Sequence, residues 1–117
     1  MQRRQIIQWG AASLAAPAFL AQAQSFPNKP IKLIIAFPAG GPTDITMRTL
    51  ADNASKILGQ TVIVENKPGA GGTLPAQALQ TVPADGYTVA QIPLGVFRLP
   101  YTTKINWDPV KDISYVL

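Results

Sequence analysis

Apolar and polar positions divide the chain into segments of changing period. Ile31 to Phe37 is apolar at six of its seven positions, without alternation, which predicts a short strand covered on both faces, as in a parallel sheet. Past the bend at Pro38–Pro42, the residues Ile45, Met47, Leu50, Ala51, Ala54, Ile57 and Leu58 recur at spacings of three and four. That predicts an amphipathic helix opening at Thr43 or Asp44 with one buried stripe. Asp44 in its first turn and Lys56 in its last both suit the helix dipole, and Gly59 is placed for a left-handed C-cap. Met47 reads as core filler, and Arg48 with Asp52 as an exposed i,i+4 pair. Thr61 to Glu65 is β-branched and reads as a second strand. A weaker helix follows from Thr73 to Gln80, with Ala76, Leu79 and Val82 inward. Pro83-Ala84-Asp85-Gly86 is turn chemistry, and Tyr87 to Ile92 forms a third strand. Beyond Arg98 regularity lapses: Trp107-Asp108-Pro109 reads as a turn, and Ile113 to Leu117 as the start of a fourth strand.

The order β-α-β-α-β defines an α/β chain with parallel strands and right-handed crossovers. In such sheets ligands sit beyond the carboxyl ends of the strands, at the topological switch point. A 2-1-3 strand order would make the loop at 38–44 and the segment at 93–98 face each other there. The loop Phe37-Pro38-Ala39-Gly40-Gly41-Pro42-Thr43-Asp44 runs from a strand into a helix start, where unpaired amides and the helix dipole suit an anion. Its competing explanation is a tight turn in which Gly40 and Gly41 only supply positive φ. Arg98 is a basic group near that mouth, or else a solvated surface arginine. The second glycine loop, Asn66-Lys67-Pro68-Gly69-Ala70-Gly71-Gly72, fits neither phosphate signature: Gly-Lys-Ser/Thr is absent, and Leu74 stands where a dinucleotide fingerprint needs glycine.

Residues 1–23 have the layout of an export signal. Arg3-Arg4 precede an Ala-rich apolar stretch, and Ala21-Gln22-Ala23 is a small-x-small cleavage pattern. The paired arginines also admit twin-arginine export. Without them, eight Lys/Arg face six Asp/Glu, scattered along the chain, which argues against a nucleic-acid surface. The chain contains neither cysteine nor histidine. Thiolate zinc sites, a cysteine nucleophile and a Ser–His–Asp triad are therefore excluded, and no metal or cofactor is expected.

Four stretches together carry a family resemblance: the loop Phe37 to Asp44; Glu65-Asn66-Lys67-Pro68-Gly69-Ala70-Gly71-Gly72; Ala84-Asp85-Gly86-Tyr87-Thr88; and Trp107-Asp108-Pro109-Val110-Lys111-Asp112. The chain resembles the N-terminal part of a Bug-type solute receptor, the periplasmic binding protein of tripartite tricarboxylate transporters. Ala39 departs from a frequent proline, and Val96-Phe97-Arg98 from the small polar residues many members carry. The resemblance implies a type II periplasmic-binding-protein fold of two lobes, closing on a small carboxylate. Residues 24–117 would then be one parallel βαβαβ lobe, with the second lobe missing. In that family the ligand carboxylate is held between the first βα loop and the other lobe, partly through waters. Carried over, Ala39, Gly40, Gly41, Thr43 and Asp44 form this lobe's half of the clamp. The amides of Gly40, Gly41 and Thr43 would face the anion, and Asp44 would cap the helix or order a bridging water. Pro68, Gly69, Gly71 and Gly72 shape the cleft wall.

The resemblance, with the export signal and the anion-suited loop, thus implies a monomeric, non-enzymatic receptor outside the inner membrane that passes a small organic carboxylate to membrane transporter subunits. One lobe buries one side of a ligand, so weak binding is expected from these residues alone, and the apolar ending at Leu117 suggests a fragment. The alternative is an exported doubly wound enzyme holding a phosphate or nucleotide at its glycine loops, with Asp44 and Asp85 as its acid–base pair. A third reading keeps the same ligand chemistry but signals to a membrane kinase.

Overall fold

A computed structural model describes residues 25–116. The export-signal reading at residues 1–23 lies outside them, as does Leu117. Three parallel strands, β1 (Ile31–Ile35), β2 (Val62–Asn66) and β3 (Thr88–Ala90), form one sheet in the order β2-β1-β3. The register pairs Ile31 with Val62 and Ile35 with Asn66 on one side of β1, and Lys32 with Thr88 and Ile34 with Ala90 on the other. The expected α/β architecture and 2-1-3 order are both present. Central β1 is buried from Ile31 to Ala36 except at Lys32, which explains why its sequence does not alternate. Strands β1 and β3 are shorter than their expected spans, because pairing ends where the chain turns into the loops, while β2 is shifted one residue onward to end at Asn66.

Helix α1 (Pro42–Leu58) crosses from β1 to β2, and α2 (Leu74–Leu79) from β2 to β3. Proline opens α1 at its first position, where a missing N–H costs nothing. Gly59 closes it at φ 66°, donating its amide to the Ser55 carbonyl. The Ser55 hydroxyl then accepts the Val62 amide at 2.8 Å, fixing the entry into β2. The buried stripe of α1 differs from the expected one. Ala51 and Asp44 are buried, whereas Ile45, Leu50, Ile57 and Leu58 are exposed, Ile57 at 85 %. The face of the helix turned to the sheet thus carries Asp44 and Ala51, and the larger apolar side chains lie on its other faces. Val82 is likewise exposed rather than inward.

The amino ends of the strands are pinned by Asp85. It accepts the Tyr87 amide and the Lys29 ammonium at 3.0 and 3.2 Å, while Lys29 also lies 4.2 Å over the Tyr87 ring. After β3, a 3₁₀ turn (Leu94–Arg98) leads into α3 (Leu99–Thr102). Residues 108–112 form the expected turn: Asp108 Oδ1 accepts the Val110 amide, and Asp112 Oδ2 the Asp108 amide. The expected fourth strand is not formed, since residues 113–116 carry no ladder. Tyr115 packs on Phe97 instead, with ring centroids 5.9 Å apart, and donates its hydroxyl to the Pro109 carbonyl.

Candidate functional site

Because the strands are parallel and β1 is central, three loops converge at their carboxyl ends: 37–41, 67–72 and 91–98. The first presents Ala39 and Gly40 to solvent, with Gly41 and Thr43 half-buried. Gly40 is left-handed at φ 80°, but Gly41 is extended at φ −76°, ψ 166°. The two glycines therefore do different work, and only Gly40 needs positive φ. A Cβ at Gly41 would meet the Pro38 carbonyl at 3.4 Å, an ordinary contact.

Asp44 is the chemical centre of the loop. Its side chain is nearly inaccessible, and both oxygens are engaged. Oδ2 accepts the Gly40 amide and the Arg48 Nε, each at 2.9 Å, while Oδ1 accepts Asn66 Nδ2 at 2.8 Å. The same Asn66 amide donates to the Phe37 carbonyl at 3.0 Å, and Arg48 Nη2 donates to Asn66 Oδ1 at 2.9 Å. Hydrogen bonds from Arg48, the Gly40 amide and Asn66 hold the Asp44 carboxyl well below the usual carboxylate range. Asp44 is thus ionised and internal. It neither caps α1, whose N-cap Gly41 makes no side-chain bond, nor leaves Arg48 to pair with Asp52 as the spacing suggested.

This closed ring changes which groups can meet an anion. The Gly40 amide is taken by Asp44, and the Gly41 amide reaches the Pro38 carbonyl only at a long 3.4 Å. The Thr43 and Asp44 amides belong to the first helical turn, where no carbonyl lies one turn back to receive them. With the 17-residue α1 behind them, they are the donors suited to a carboxylate.

The second glycine loop winds left-handed through Gly69, Ala70, Gly71 and Gly72, at φ 118°, 47°, 64° and 84°. Gly72 donates to the Gly69 carbonyl at 2.9 Å. A Cβ at Gly72 would stand 2.8 Å from Pro93 Cγ, so this loop and the 93–98 segment are in direct apposition. Pro68, Gly69 and Gly71 are exposed on the same rim. Arg98 ends the 3₁₀ turn exposed, with no ion pair among the described residues. Sequence reading missed Asn66 and Arg48 as site residues. The motif containing Asn66 was the available signal, but its contact with Asp44 spans 22 positions and follows only from the register. Gln91, next to the end of β3, was missed too: its Oε1 is buried without a donor.

The enzyme alternative gains nothing from this geometry. Asp85 lies at the amino ends of the strands and Asp44 at the carboxyl ends, and the Ser55 hydroxyl is committed to backbone. No group of three or more His, Cys, Asp or Glu among the described residues could hold a metal ion. No helix among them is long and apolar enough to cross a membrane.

A parallel β2-β1-β3 sheet with an anion-suited bend at its switch point fits a lobe of the periplasmic-binding-protein class, and solved structures of that class are similar to it. MatC from Rhodopseudomonas palustris, solved with bound malate, is similar at TM-score 0.66 and 35 % identity, over 74 % of this chain and 30 % of that one. The family model for the tripartite tricarboxylate transporter family receptor matches residues 46–117, and the chain belongs to that family. A Cupriavidus necator protein, the UPF0065 protein in the gbd 5' region, is 60 % identical over all of this chain and 38 % of its own length. Protein BugT of Bordetella pertussis is 44 % identical over 90 % of this chain and 34 % of its own. The chain therefore spans between 24 % and 38 % of the length of the curated relatives it matches.

Proposed function

We propose that this chain supplies the first half of the ligand clamp in a non-enzymatic, periplasmic receptor that hands a small carboxylate to membrane subunits of a tripartite tricarboxylate-type transporter. The observation that carries the reading is the β1–α1 bend in a member of this receptor family. Its Thr43 and Asp44 amides point out of a helix start whose only carboxylate is already satisfied. Ala39, Gly40, Gly41 and Thr43 form the anion-facing surface, and Asp44 sets its shape from beneath. Arg98 adds an exposed cation at the rim, while Pro68, Gly69, Gly71 and Gly72 form the wall. The malate bound by MatC supports a dicarboxylate as ligand. The Arg3-Arg4 start and Ala21-Gln22-Ala23 support export through a signal at residues 1–23.

Calorimetric titration tests this on protein expressed from its complete reading frame. Malate, succinate and citrate are compared with their uncharged amides. Binding of at least one carboxylate, with the amides weaker, is the expected result. A preference for the amides would defeat the proposal.

A further inference from the structure

This inference rests on the carboxylate reading above and concerns how that site tolerates its own charge. An anion at the first turn of α1 would approach Asp44, a buried carboxylate one residue from the Thr43 amide. Two like charges so close, one of them buried, would repel. The structure meets this conflict on the inner side of the bend. Arg48, one turn further along α1, bonds Asp44 Oδ2 through Nε. The other arm of its guanidinium goes to Asn66, whose amide bridges Asp44 Oδ1 and the Phe37 carbonyl. Among the described residues no other cation pairs with Asp44: Lys32 and Lys67 both pair with Glu65 on β2, and Lys56 lies three turns away in α1.

We propose that Arg48 is the countercharge that lets this bend accept an anion, with Asn66 the positioning residue that locks Asp44 and the bend around it. An exposed i,i+4 ion pair ordinarily contributes little. This one is asymmetric, with 4 % of the Asp44 side chain accessible against 49 % of Arg48. Removing Arg48 leaves a charge that cannot turn to water. The anion site then inherits an uncompensated negative neighbour.

The test uses protein from the complete reading frame and the tightest binder among malate, succinate and citrate, followed by calorimetry. Arg48→Gln should weaken that carboxylate by at least about tenfold, the scale of a charged hydrogen bond lost beside a buried carboxylate. Arg48→Lys keeps the charge and should stay within about threefold, and Asp44→Asn/Arg48→Gln, which removes both charges, should recover to a similar level. Equal losses in Arg48→Gln and Arg48→Lys would overturn the proposal, because geometry rather than charge would then be decisive. So would an unchanged affinity in Arg48→Gln, or a double variant no better than the single one. If Arg48→Gln does not fold, the other two variants decide: both must bind near the wild-type level. Wild-type protein that binds none of the three acids defeats the carboxylate reading itself, an outcome distinct from binding that ignores Arg48.

Discussion

Gly72→Ala offers a direct measure of how tightly the second glycine loop is pressed against the segment after β3. Two effects act there. Gly72 has φ +84°, so a side chain is strained whatever its surroundings, and the new Cβ would stand 2.8 Å from Pro93 Cγ. Gly71 makes the matched control, with φ +64° and nothing within 4 Å of its added Cβ. Left-handed backbone costs an L-residue about 1–2 kcal/mol, while the stiffer unfolded chain returns about 0.4–1 kcal/mol. Gly71→Ala should therefore lose about 1 kcal/mol by the same two terms. Gly72→Ala adds an overpacking cost of about 1–3 kcal/mol, because a proline ring cannot swing aside as a flexible side chain does.

Urea unfolding of both variants measures the difference. With m about 1–3 kcal/mol/M, an extra 2 kcal/mol lowers the midpoint by about 1 M. Carboxylate affinity should fall further in Gly72→Ala than in Gly71→Ala, since displacing Pro93 also displaces the turn that carries Arg98. Coincident midpoints for the two variants would refute the reasoning: the apposition would then be loose and the glycine needed for φ alone.

Other outcomes follow from the same geometry. Ile35→Ala removes a fully buried side chain from the central strand and should cost about 2–5 kcal/mol, read from the unfolding midpoint. Asp44 is depressed in the folded state, so its stabilisation is complete above the unfolded carboxylate pKa of about 4 and is lost as pH falls toward the folded value. The stability gap between wild type and Asp44→Asn should accordingly be wide at neutral pH and narrower in acid; a gap independent of pH would sink this account. Arg98→Ala should weaken carboxylate binding by about 1.5–3 kcal/mol if its guanidinium reaches the ligand, and unchanged affinity would return Arg98 to the solvated surface.

How much of this the chain reveals in advance depends on the range of the interactions involved. Strand identity is local: β-branched runs and glycine turns announce β1, β2 and the loops, whereas right-handed crossovers fit a 1-2-3 order as well as the observed β2-β1-β3, which only the pairing of β1 with both neighbours settles. Helix α1 misleads because apolar spacing assumes that large side chains face the core, whereas its buried face is built on Ala51 and Asp44. A charged residue inside becomes intelligible only when its partners are known, and one partner is Asn66. The pairing of Ile35 with Asn66 carries that amide to the exit of β1, beside Phe37. No period within α1 encodes that meeting. The fourth strand fails for a related reason, since where an apolar run docks depends on partners distant in sequence, and Tyr115 finds Phe97 and Pro109 instead. The same dependence on register bears on specificity. The bend, α1 and β2 share one ring of hydrogen bonds, so a change at Asn66 reaches the anion site as directly as a change in the bend itself. Substitutions at Asn66 should therefore alter carboxylate affinity while leaving the glycines untouched.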